Sequence, residues 1–243
     1  MSVLPVPPEN REILRPLIEA FRPGDALAAY YALHHPAAKT RLWIHRSPGG
    51  EADGFLARAQ TGQDLFRPLV TLRARDPSAM VELLRAGLPA GQPAVFSLPE
   101  PLSLWLLPFL SVDSQRLLKI FHLDRARFEP VLNIFVQRAW SPDGLPRYEI
   151  RQGETLVAAA GVNWKSPLWA EIFVQTDPEH RERGYGKSVC AALCADLLAT
   201  RHSILFAVEE SNHASIRLAK SLAFADTGER ELLLTGSFKQ SQN

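Results

Sequence analysis

Apolar residues along this chain are grouped in two ways, in short runs that read as strands and at helical spacing. The two groupings come in the same order twice. In the first half, residues 39–46 (KTRLWIHR) and 53–60 read as strands around a Ser47-Pro48-Gly49-Gly50 turn, and 66–74 as a third strand. Asp76-Pro77-Ser78 then starts a helix with Met80, Leu83 and Leu84 at helical spacing. A buried strand at 93–98, a helix or packed apolar segment at 101–110 and a strand at 117–122 follow. Two helices, over 8–21 and 24–34 and broken at Pro23-Gly24, precede the series. In the second half, 147–151 and 154–163 pair around Gln152-Gly153, and 169–176 is a third strand. A glycine-containing loop leads into a helix ending near Thr200, whose Val189, Leu193 and Leu197 make one face apolar. Residues 203–210 form an apolar strand, 214–223 a helix and 230–235 a last strand. Both halves therefore read hairpin, strand, helix, strand, helix, strand, although their residues hardly match. The pattern predicts a structural duplication with its boundary near 124–130, giving domains over 1–124 and 125–243. One continuous domain with an N-terminal elaboration is the alternative.

Composition narrows the class. The 243 residues leave room for one large domain or two small ones. A chain of this size buries on the order of 70–75% of its unfolded surface and needs no disulfide or metal staple. Lys plus Arg number 27 against 26 Asp plus Glu, a net charge of +1, so there is no bulk attraction to nucleic acid or to an anionic membrane. Cys190 and Cys194 stand four apart in a helical stretch and read as small hydrophobes packed against the sheet. His34-His35 has no partner pair at metal spacing and reads as surface. The first ten residues hold three prolines and no signal-peptide pattern, and the longest apolar run, 102–110, is far short of a membrane span. A cytoplasmic protein with no metal, no nucleic-acid partner and no membrane partner is expected.

The stretch 171–188, EIFVQTDPEHRERGYGKS, carries the chemistry. A strand ends at Thr176, Asp177-Pro178 turns, and Gly184-Tyr185-Gly186 opens a helix. Backbone N–H groups at a helix start point outward, the helix dipole adds partial positive charge, and absent side chains let an anion approach. Arg181, Arg183 and Lys187 add formal charge to the same turn, so the loop suits a diphosphate. Gly186-Lys187-Ser188 resembles the tail of a nucleotide-binding P-loop. That motif needs a glycine where Arg181 stands, and only about 55 residues follow, too few for the rest of such a domain.

Arg181-x-x-Gly184-x-Gly186 resembles the acyl-CoA diphosphate loop of the GNAT superfamily of N-acyltransferases. So do the strand Val174-Gln175-Thr176 before it and Asn212-x-x-Ser215-x-x-Leu218 with Ala223-Phe224 after the next strand. The resemblance covers about residues 130–236. It implies an α+β fold, a mixed central sheet with flanking helices, here as two tandem halves of which the first is degenerate. It implies acetyl-CoA as co-substrate and transfer of an acetyl or other acyl group to an amine, on a small molecule or a peptide, by direct attack on the thioester. In that resemblance Val174, Gln175 and Thr176 match the strand edge that pairs with the pantetheine arm. Arg181, Glu182, Arg183, Gly184, Tyr185, Gly186 and Lys187 match the diphosphate loop. Asn212 matches a pantetheine contact, and Ser215 begins the helix lining the thioester end.

Two positions depart from the family. A tyrosine that can protonate the leaving thiolate commonly follows the Leu of the second motif, and here that position is Ala219. A free thiol has a pKa of about 8.5, so the thiolate can leave near neutral pH without a strong acid. Glu171 is the candidate general base, since the attacking amine must lose a proton; the alternative is a solvated or ion-paired strand residue. It lies ten residues before Arg181 where the family has eleven, and one residue on a strand reverses the face unless a bulge intervenes. Glu209 and Glu210, at the end of a strand facing the same cleft, are secondary candidates. Trp164 and Trp169 are candidates for the acceptor pocket or for plain packing. In the first half the matching stretch is Arg75-Asp76-Pro77-Ser78-Ala79-Met80, without paired glycines, and Asp76 would repel a diphosphate. That half is expected to bind no coenzyme. An acyl-CoA-binding sensor or interaction protein without catalysis is the alternative function.

Overall fold

The structure, a computed structural model, describes residues 2–62, 64–131 and 133–239. Its contacts separate two units: the chain up to Leu118 together with the chain from Glu229 on, and residues 119–228.

In the first unit, β1 (Ser2–Val6), β2 (Thr40–Arg46), β3 (Ala52–Ala59) and β4 (Leu69–Ala74) pair antiparallel in sequence order. β1 was not foreseen. The two helices expected between β1 and β2 are a 3-10 stretch, Pro8–Leu17, then a short α1 (Ala26–Ala29) running into a π-turn, Tyr30–His34. Pro16 inside the first stretch and Asn10 at non-helical angles break the α ladder there. His35 is buried rather than on the surface, because it packs edge-on against Tyr30 and lies tilted against Tyr31. Its Nδ1 lies 2.7 Å from the Thr40 hydroxyl. Burial, with Lys39 and Arg11 adding repulsion, pushes its imidazole down to about 4.

α2 (Pro77–Gly87) follows β4. Its N-cap Asp76 accepts from Ala79 N–H at 2.9 Å, and Met80, Leu83 and Leu84 are fully buried against the sheet. Full burial of such a side chain stabilises by about 1.5–3 kcal/mol. β5 (Pro93–Pro99) lies parallel to β4, and α3 (Glu100–Leu106) leads to β6 (Leu110–Leu123), a strand more than twice as long as the expected 117–122. The last strand of the chain, β12 (Phe224–Phe238), closes this sheet by pairing Glu231 to Ser237 antiparallel with β5. The order is β1-β2-β3-β4-β5-β12.

In the second unit, β7 (Gln137–Trp140, also unforeseen), β8 (Pro146–Gln152), β9 (Thr155–Lys165) and β10 (Trp169–Thr176) pair antiparallel. α4 (Tyr185–Ala199) crosses to β11 (Ser203–Glu209), parallel to β10, and α5 (His213–Ser221) leads into β12. The end of β6 lies beside β11, so the order is β6-β11-β10-β9-β8-β7. Val189, Cys190, Leu193, Cys194 and Leu197 bury the inner face of α4 against the sheet. A hydrogen bond with Cys190, together with burial, holds the Cys194 thiol protonated far above the usual thiol range. The two cysteines are packing residues, as their spacing suggested.

The repeats correspond strand for strand, and each unit's sheet is completed by the last strand of the other repeat. The expected division after 124 keeps all of 125–243 together, whereas the chain from Glu229 belongs to the first unit. A sequence pattern fixes strand order along the chain; which edge a terminal strand joins is a tertiary choice. Among the described residues no helix is long and apolar enough to cross a membrane.

Candidate coenzyme site

β10 and β11 are paired only from Trp169–Ser203 to Glu171–Leu205 and part beyond that point, while β10 stays paired with β9 as far as Thr176. The splay opens a cleft at the C-terminal end of a parallel pair, where crossover connections leave room for a ligand.

The loop after β10 shapes the mouth of that cleft. Asp177 caps the turn Pro178–His180 by accepting from Glu179 N–H at 2.9 Å, and its carboxyl is held low by His180 and by that amide. Glu182 and Gly184 take left-handed backbone angles, φ 62° and 78°, which turns the chain sharply into α4. The first helical bond runs from Ser188 N–H to Gly184 C=O at 3.0 Å, so the amides of Tyr185, Gly186 and Lys187 precede the ladder. A Cβ on Gly186 would stand 2.7 Å from the Thr176 hydroxyl. Glycine there lets α4 start hard against the end of β10.

The cleft has a volume of about 670 Å³, within the range of small-molecule sites. Val174, Gln175, Thr176, Arg181, Glu182, Gly184, Tyr185, Gly186, Lys187, Asn212 and Ser215 line it, all expected from the sequence. Arg183, also expected, is exposed and outside the lining. His180, Ala214, Arg217 and Leu218 line it as well. Arg217 is the notable addition, and its signal was available in the sequence: it shares with Ala214 and Leu218 the face of α5 that Ser215 was expected to present. Asn212 caps α5 by accepting from Ser215 N–H at 3.0 Å, which fixes where that face points. Three permanent cations, Arg181, Lys187 and Arg217, face one carboxylate, Glu182. Glycine without side-chain bulk, amides ahead of the helical ladder and an excess of positive charge together suit a polyanionic ligand.

Glu171 is the last paired residue before the splay and lies outside the cleft lining. It accepts from Asn163 Nδ2 at 2.8 Å and from Trp164 Nε1 at 3.0 Å. Burial raises its carboxyl above the usual glutamate range, and the two hydrogen bonds oppose that shift. A bulge does exist here, on β9 rather than β10: Glu171 faces Trp164 and Ile172 faces Val162, leaving Asn163 as the extra residue. Trp164 and Trp169 are both buried, the second edge-on to His122. Glu209 accepts from the Ser211 hydroxyl at 3.0 Å and Glu210 pairs with Lys119 at 3.0 Å; neither lines the cleft. Ala219 is fully buried on the core side of α5.

In the first unit β4 and β5 also part after a short pairing. β4 and β5 pair at Leu69–Val95 and Val70–Phe96 and then separate, but the Asp76 carboxylate sits on the N-terminal amide of α2.

A family model of FR47-like proteins matches residues 149–233, the stretch from β8 into β12. No curated protein matches the chain. Among solved structures, a tandem GNAT protein from the clavulanic acid biosynthesis pathway is similar over 99% of both chains, at 15% identity and a TM-score of 0.64. A GCN5-related N-acetyltransferase from Sphaerobacter thermophilus aligns over 99% of this chain and 97% of its own, at 11% identity and a TM-score of 0.65. A protein from Novosphingobium aromaticivorans, described as a GNAT-family acetyltransferase, aligns over 75% of this chain and 88% of its own, at 21% identity and a TM-score of 0.59. The chain has the GNAT superfamily fold in two halves.

Proposed function

We propose that the chain is an acyl-CoA-dependent N-acyltransferase, with acetyl-CoA bound in the cleft of the second unit and an amine, on a small molecule or a peptide, as acceptor. One observation carries the reading. The splay of β10 from β11 opens beside a helix start that is glycine-lined, amide-rich and cationic, in a GNAT fold. The residues fit the co-substrate. Gly184 and Gly186 leave backbone amides approachable, Arg181 and Lys187 supply charge for the diphosphate, and the parted edge of β10 from Val174 to Thr176 suits an extended amide-bearing arm.

The thioester supplies an acyl carbon activated towards nucleophiles. The amine nitrogen bonds to that carbon, the carbon–sulfur bond breaks, and the sulfur leaves as thiolate. Glu171 takes the amine's proton, directly or through a water molecule. Its two donors, Asn163 and Trp164, keep the carboxyl oriented, and burial gives it more affinity for a proton than an exposed glutamate has. With Ala219 buried in the core, no hydroxyl at that position protonates the leaving thiolate. The thiolate departs on its own acidity, of about pKa 8.5.

The same Ala219 favours a second reading, a protein that binds acyl-CoA without turning it over. Release of free coenzyme A thiol from acetyl-CoA, followed across a panel of amines, separates the two. Amine-dependent release supports transfer; tight binding with no release for any amine favours the sensor.

A further inference from the structure

We infer that Arg217 recognises the 3′-phosphate of coenzyme A, so that the cleft selects the 3′-phosphorylated coenzyme over its dephosphorylated form. The inference rests on the cleft being a coenzyme A site and adds a specificity determinant to it. Coenzyme A carries two separate anionic groups, the diphosphate and a phosphomonoester on the ribose. The start of α4, with its amides, Arg181 and Lys187, accounts for the first. Arg217 comes from a different element, α5, whose Ala214, Ser215, Arg217 and Leu218 form one lining face.

Among the described residues no acidic partner accounts for a cation at that position. Arg217 is exposed, and among the described residues it has no hydrogen bond and no ion pair. Residues three and four away on the helix are Ala214, His213, Lys220 and Ser221, so no carboxylate stands at pairing distance along α5. The one acid of the cleft lining, Glu182, belongs to the loop before α4. A phosphomonoester carries nearly two charges at neutral pH and three acceptor oxygens. A guanidinium fork binds such a group through two parallel hydrogen bonds. An adenine ring offers a stacking face and no charge, so it makes a weaker demand for an arginine.

Calorimetry with coenzyme A and dephospho-coenzyme A, on the full chain and on Arg217→Gln and Arg181→Gln at fixed salt, tests this. The unaltered protein is expected to bind coenzyme A at least tenfold more tightly than the dephospho form. Arg217→Gln brings that ratio close to one by weakening coenzyme A alone. Arg181→Gln weakens both ligands by a similar factor and keeps the ratio. A ratio near one in the unaltered protein overturns the inference, as does Arg217→Gln that preserves the ratio or weakens both ligands equally, the last being the mark of stacking or a diphosphate contact. If the unaltered protein binds neither ligand, the coenzyme-site reading itself falls. Binding of both with the wrong ratio rejects only the role of Arg217.

Discussion

Glu171 receives hydrogen bonds from two consecutive residues, Asn163 and Trp164, which on a regular strand would point to opposite faces. The bulge at Asn163 makes this possible, so a backbone irregularity on β9 organises the proposed base on β10. Glu171→Gln is expected to lower kcat by roughly 10²-fold or more with coenzyme affinity unchanged, as loss of a general base does. The pH profile follows from the sign of the shift. Burial raises the Glu171 carboxyl and the two donors lower it, so Asn163→Ala removes a stabiliser of the charged form. The acid limb of the rate profile should then move to higher pH; an unmoved limb assigns proton removal to another group. His35 gives the opposite sign in stability. Its folded value of about 4 lies below the ordinary imidazole value of about 6.5, so its contribution is present above pH 6.5 and is lost as pH falls towards 4. The loss is on the order of 3 kcal/mol. Denaturant unfolding against pH checks it: the difference between the protein and His35→Gln should narrow over that window.

At the scale of elements, the site depends on how closely α4 approaches β10. From the sequence alone, Gly186 matters for the ligand, as a position where a side chain blocks a phosphate. The structure adds a second constraint, because any Cβ there meets the Thr176 hydroxyl at 2.7 Å. Gly186→Ala therefore requires Thr176 to rotate, and Gly186→Asp adds like charge at an anion site. Both variants should bind acetyl-CoA at least about tenfold more weakly, which is roughly 1.4 kcal/mol, with Asp the weaker binder. Calorimetry on the folded variants decides it. Asp is a good residue for a helix start on its own. Unchanged affinity for Gly186→Asp would make Gly186 only a helix-start residue and remove the diphosphate assignment.

At the scale of the whole chain, the two repeats and the two compact units divide the sequence differently. The second unit is the contiguous stretch 119–228, whereas the first needs residues from both ends of the chain. A fragment of residues 125–243 lacks the end of β6 that lies beside β11 and carries a β12 whose far half has no β5 to pair with. Unpaired sheet edges of this kind leave backbone groups open to association. Residues 119–228 should give a dispersed NMR spectrum and bind acetyl-CoA, while 1–124 and 125–243 aggregate or remain unfolded. In the full chain one acetyl-CoA should bind, because Asp76 already occupies the α2 amide in the first unit. Calorimetry with two equivalent sites would reject that.

The sequence by itself determined what depends on neighbours along the chain. Apart from β1 and β7, strand order, with the cap residues Asp76 and Asn212, the glycine turn at 184–186 and most of the cleft lining, is legible there, because periodicity, caps and turns are local. Pro16 and Asn10 interrupt the helical pattern near the N-terminus, and His35, which reads as surface from its neighbours along the chain, is covered by two tyrosines in the fold. Arg217 was visible as a residue, but its bearing on the cleft depends on which face of α5 meets the splay. The bulge at Asn163, the contact of Gly186 with Thr176 and the exchange of β6 and β12 belong to tertiary structure alone. Each is a relation between segments far apart in sequence or a slip of register between strands. No pattern of single residues encodes such a relation, since it is set by which packed arrangement leaves the fewest unpaired backbone groups and the least exposed apolar surface.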